Sequence, residues 1–378
     1  MSPLPGSGPI SLNDVQTEFG GSNPIGINEY YGVAGGVPSS GTISLADFYG
    51  TSAFSGDVVF VKSVTSSNSS ANYVAYPFSS VTGFGTKYAN PSFSGHGGQA
   101  IARNSSGTRF VTAITGGTST TIPTEAFSYT PGSGFGSKLT STPAEAIQMY
   151  TFSVAITPNG TDAFWAGSSS PMYRAAAFSS SGWGSYKTNP ISTTTYTEIA
   201  LSPSGNAVVF GSNTNGYLKA YRYTQGTGWG SAYAAAPSIP SSGMGELIVF
   251  KPSGTAIIVC SVSSPYIHAW SWSDSTGFGS KYANPTTLPT SRPACVSWHP
   301  DGDRVVCGSV MYAWSDSTGF GSVLQTGIPT GSRSSFSPDG SCYMTGKNIY
   351  RVSNKLISTA YTLPAELSAA GNWVGLFV

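Results

Sequence analysis

The chain has 378 residues, 39% of them hydrophobic, 13% aromatic and only 9% charged, so it can bury a large core and is not a disordered chain. A formal net charge of +1 removes the basic footprint that nucleic acid or an anionic lipid surface requires, and no nucleic-acid partner is expected. The opening MSPLPGSGPIS has neither the basic nor the apolar stretch of a secretory signal, and no later apolar run approaches the roughly 20 residues of a membrane helix, so neither secretion by that route nor membrane insertion is expected.

Residues 10–50 carry a short repeat of their own: Ile10-Ser11-Leu12-Asn13-Asp14-Val15, Ile25-Gly26-Ile27-Asn28-Glu29-Tyr30 and Ile43-Ser44-Leu45-Ala46-Asp47-Phe48. Ser11 with Asp14, and Ser44 with Asp47, have capping-box spacing, which predicts short helices that stop at Gly20, Gly32 and Gly50. Single turns of this kind repay the cost of helix nucleation poorly, so they need a surface to lie on. The phrases ISLND, NEYYG and ISLADFYG resemble the amino-terminal stretch of tail-associated structural proteins of bacteriophages, where they precede unrelated distal domains. That resemblance covers only the start of the chain. It implies a virion-docking segment over residues 1–52, with Leu12, Val15, Ile27, Tyr30, Leu45 and Phe48 as its apolar contacts. It further implies other virion proteins as partners, many copies or a homo-oligomer per particle, and a place in the virion, on the tail or exterior.

Two longer motifs share one period across the rest of the chain. Gly-aromatic-Gly-Ser/Thr recurs at Gly83, Gly134, Gly182, Gly228, Gly277 and Gly319, and a turn ending in glycine recurs at Gly107, Gly160, Gly205, Gly254, Gly302 and Gly340, five times as Pro-x-Gly. Alternating stretches such as Val154-Ala155-Ile156 and Ile248-Val249-Phe250 precede the turns and predict inner strands with a small middle residue. A third strand carries aromatic-x-aromatic pairs, Tyr76 with Phe78, Phe127 with Tyr129, Tyr221 with Tyr223, Trp270 with Trp272 and Tyr312 with Trp314, whose rings are expected to pack between blades. A multi-strand unit at this period predicts an all-β, seven-bladed β-propeller over residues 53–378. The final stretch, Asn372 to Val378, supplies the missing inner strand of blade one and closes the ring. Ser337-Pro338-Asp339-Gly340 and His299-Pro300-Asp301-Gly302 resemble the turns of WD40 and TolB-like propellers, a resemblance of architecture, since no Trp-Asp dipeptide ends the third strands.

Chemistry is sparse in the sequence. Cys260, Cys295, Cys307 and Cys342 lack metal-site spacing and read as small buried hydrophobes, and His96, His268 and His299 form no triad or metal pattern, so no metal and no cofactor are expected. The stretches that lead into the inner strands differ most between repeats, and variation on one face of a repeat protein often marks its binding face. Gln99, Tyr150, Tyr196, Glu198, Glu246 and Arg333 are the candidate binding residues there, the tyrosines for stacking on a sugar and the others for its hydroxyls. The functional expectation is a non-enzymatic tail-fibre or tail-associated virion protein that displays the propeller for a host-surface receptor, glycan or protein. A glycan-cleaving hydrolase, with Glu198 and Glu246 as paired carboxylates, and a capsid or tail decoration protein are the alternatives.

Overall fold

The structure, a computed structural model, describes residues 4–31, 33, 37–38, 41–49, 51, 53–63, 69–93, 98–113, 124–139, 151–167, 173–188, 190, 198–212, 218–239, 244–353, 355–369 and 371–378, with backbone alone at 151, 152, 244 and 246. Seven antiparallel sheets of four strands each surround an axis, as expected. From blade one to blade seven the innermost strands are Asn372–Phe377, Ala100–Arg103, Thr151–Ile156, Glu198–Leu201, Met244–Phe250, Val296–Trp298 and Ser334–Phe336. Each touches the next in cyclic order, and Ser334–Phe336 touches Asn372–Phe377 to complete the circle.

The carboxy-terminal strand is the clasp. Asn372–Phe377 pairs antiparallel with Ser55–Ser63, with Val58 opposite Phe377 and Ser63 opposite Asn372, and the Val378 amide donates to the Asp57 carbonyl at 2.8 Å. Between the first and second strands of a blade, the turn glycine donates to the carbonyl three residues back, as Gly254 does to Lys251 and Gly340 to Ser337, both at backbone angles that favour glycine.

Apolar packing lies between blades, in clusters that each join two neighbours. On the inner strands the larger residues face the preceding blade: Val154 and Ile156 pack on blade two while Ala155 turns toward blade four. The aromatic pairs also face backward, and the ring of the Gly-aromatic-Gly motif meets them edge-on. Trp272 and Phe278 lie 5.0 Å apart at 89°, and Tyr223 and Trp229 5.1 Å apart at 81°. Such edge-to-face contacts add to the area each ring buries. All four cysteines are buried, and none is joined in a disulfide.

At the amino terminus, helix Leu12–Phe19 and the 3-10 turns Ile27–Tyr30 and Leu45–Phe48 start where the sequence places them. The Asp14 carboxylate accepts from the Ser11 amide at 2.7 Å, and Asp47 accepts from Ser44 at the same distance. The expectation that these turns lack a core of their own is corrected. Val15, Tyr30 and Phe48 are buried together with Leu4 and Val37, and Ile27 and Leu45 pack against them, because the repeat aims one apolar residue per turn at a common centre. Leu12 is half-buried outside that cluster. The buried Glu18 carboxylate accepts from the Ala53 amide at 2.9 Å, tying this small unit to the first residues of the propeller.

Candidate functional site

Inner strands start at one end of the axis, so the residues that open or precede them converge there. Arg333, just before the blade-seven inner strand, has φ +83°, a left-handed backbone that a non-glycine residue holds only when its surroundings enforce it. Its carbonyl accepts from the Gly346 amide at 3.2 Å and the Thr345 hydroxyl at 3.3 Å. From there the guanidinium reaches over to blade four and grips Glu198 with both ends, Nη1 to Oε1 at 2.8 Å and Nη2 to Oε2 at 3.1 Å. Glu198 is buried and accepts a further bond from Ser153 Oγ of blade three at 3.0 Å.

Beside this pair opens a pocket of about 330 Å³ whose polar lining is Ser63, Gln99, Ser332, Arg333 and Asn372, with Leu247 and Val374 in its apolar part. Blades one, two, five and seven, with Ala294 at the entry to blade six, thus share one cavity at the channel mouth. Burial drives the Glu198 carboxyl above its ordinary range, while Arg333 and Ser153 pull it back, and the net direction is upward. For Arg333, burial opposes the charge and the Glu198 carboxylate outweighs it, so the guanidinium stays charged. A planar fork held by two bonds, with its side chain about a third exposed, is a fixed cation facing the cavity.

Of the residues singled out in the sequence, Gln99, Glu198 and Arg333 come together here. Glu246 lies on the blade-five inner strand, its side chain outside the described residues, as are Tyr150 and Tyr196 altogether. Sequence reasoning missed Ser63, Ser153 and Asn372. Ser153 carried a faint signal, a hydroxyl directly before the Val154-Ala155-Ile156 alternation, and the other two become visible only once the last strand lies beside the first.

A second cluster was not evident from spacing. His299, Asp301 and Asp303 bring one ligand atom each within 4.8 Å of one another, in the turn at the opposite end of the blade-six inner strand. Lys355 Nζ lies 2.7 Å from Asp303 and 3.6 Å from Asp301, and Arg304 grips Asp303 at 2.6 Å. The carboxylates already have cationic partners, so the trio reads as an ion-pair network.

No family model and no curated protein matches the chain. Among solved structures it is similar to the periplasmic gluconolactonase of Pseudomonas aeruginosa, with TM-score 0.61 and 11% identity, covering 86% of this chain and 99% of that one. A Bacteroides fragilis protein provisionally named a 6-phosphogluconolactonase has TM-score 0.59 and 12% identity, covering 80% of this chain and 93% of that one. A protein from Lactobacillus plantarum has TM-score 0.60 and 12% identity, covering 86% and 100%. Likeness at such identity establishes the shared propeller fold. The expectation of a phage structural protein without enzymatic activity is corrected by these findings: where these neighbours carry a functional name it is that of a lactone hydrolase, and no phage, virion or tail protein stands among them.

Proposed function

We propose that the chain hydrolyses cyclic esters of sugars at the channel mouth. The observation that carries this reading is Arg333, a cation fixed by the buried Glu198 and facing a cavity whose other polar lining is hydroxyl and amide groups. The fold shared with proteins named for lactone hydrolysis supports the choice of ester. A polyol ring finds hydrogen-bond partners in Ser63, Gln99, Ser332 and Asn372, and its lactone carbonyl is directed at Arg333. Water adds to the carbonyl carbon, Arg333 stabilises the oxyanion that forms, and collapse breaks the bond to the ring oxygen. That oxygen takes up the proton the water releases, leaving an open hydroxy acid. Glu198 is a positioning residue, since it touches Arg333 and Ser153 and holds the guanidinium in place.

Loss of one oxyanion donor typically lowers kcat by about 10²–10³. Arg333→Gln is therefore expected to reduce kcat/KM for glucono-δ-lactone by about a hundredfold while the protein still melts cooperatively. A wild-type chain that leaves the spontaneous hydrolysis rate unchanged, or a folded variant as active as wild type, would contradict the reading.

A further inference from the structure

We propose that the channel site selects uncharged sugar lactones and rejects phosphorylated ones, an inference that rests on the function proposed above. The ground is a charge inventory of the whole chain. It has 17 lysines and arginines, and each lies among the described residues, so a cation supplied by the remaining segments does not exist. A single member of that set, Arg333, lines the cavity. Others are committed elsewhere: Lys138 to Glu125, Lys187 to Asp162, Lys251 to Asp316, Lys87 to Glu366, and both Arg304 and Lys355 to Asp303.

The charge of Arg333 is itself balanced by the two oxygens of Glu198. A sugar phosphate carries roughly −1.5 to −2 charges near neutrality and is held by forks of cationic donors. In this cavity it would meet a neutral pair, the one guanidinium already balanced by a buried carboxylate, and would surrender its hydration without a net countercharge to offset that loss. A ring bearing only hydroxyls has no such cost. Its donors and acceptors match the hydroxyl and amide groups of Ser63, Gln99, Ser332 and Asn372, each of which both donates and accepts.

Calorimetric titration of the full chain with two stable ring analogues separates this inference from the hydrolytic reading. The probes are gluconolactam, whose ring amide resists hydrolysis, and its 6-phosphate. The neutral lactam is expected to bind at least about tenfold more tightly, a difference of one decade in Kd. Equal binding, tighter binding of the phosphate, or no binding of either overturns the inference. Lactam binding without lactone turnover sinks the enzyme reading and leaves the selectivity intact. Glu198→Gln keeps the shape and removes the opposing charge, so preference should move toward the phosphate by about tenfold. A folded variant with unchanged preference would show that the paired charge is not the cause. Should that variant not fold, the wild-type titration alone decides.

Discussion

Arg333 shows how much local architecture one guanidinium requires. Its left-handed backbone, two bonds to its carbonyl and two-pronged hold on Glu198 leave it little freedom, and a lysine could not reproduce the planar fork. His268 illustrates the opposite situation, a titratable group kept neutral. Burial, with a smaller contribution from Lys281, lowers its pKa to about 4, against roughly 6.5 in the unfolded chain. As pH falls, the unfolded chain takes the proton first, so the stability His268 contributes is complete above about pH 6.5 and is lost progressively toward pH 4. The window is worth on the order of 3 kcal/mol for this residue, and the buried His299, also lowered, adds to the same slope. Urea titrations at stepped pH should show a shallower acid decline for His268→Gln than for wild type. An identical slope would mean that this ring does not set the acid limit.

Elements join through several recurring contacts, of which the sequence displayed one openly. Aromatic pairs on the third strands were plain from their spacing, whereas the edge-on contact with the ring of the Gly-aromatic-Gly motif was not, because the two come together only across a turn. Tyr282, in the stretch Lys281-Tyr282-Ala283-Asn284-Pro285, has a role that spacing could not reveal. Tyr282 donates to the Asp316 carbonyl at 2.9 Å and its ring occupies the place where a Cβ on Gly319 would sit, 2.7 Å from Tyr282 Cβ, so the next blade needs glycine there. An aspartate also bonds between blades: the Asp316 carboxylate takes Lys251 at 2.6 Å and Thr255 at 2.8 Å from blade five. The clasp strand was legible from a simple deficit, one inner strand too few at the start and one too many at the end. Removing Asn372 to Val378 strips Trp373, Val374 and Phe377 from buried positions and bares the edge of Ser55–Ser63. The truncated chain is expected to aggregate or lose its cooperative melting transition. Unchanged calorimetric melting would contradict closure by this strand.

At the scale of the whole molecule, the ring is what makes a site from scattered residues. Glu198 and Arg333 are 135 positions apart, and each stood out only as a charged residue ahead of an inner strand. That they meet follows from seven strands starting at one end of a common axis, a fact of closure that no local pattern encodes. The phage-like phrases at the start misdirected the functional reading because they concern residues 10–50, which form a small unit packed about Val15, Tyr30 and Phe48 and share no residue with the lining of the channel-mouth cavity. A crystal structure of the full chain with gluconolactam bound would locate the chemistry directly. The ring should lie in the channel-mouth cavity with its carbonyl oxygen within hydrogen-bond reach of Arg333 and its hydroxyls on Gln99 and Asn372. A ring seated elsewhere, such as the rim pocket beside Arg351 and Tyr361, with the channel mouth holding only solvent, would show that the hydrolytic site has been put in the wrong place.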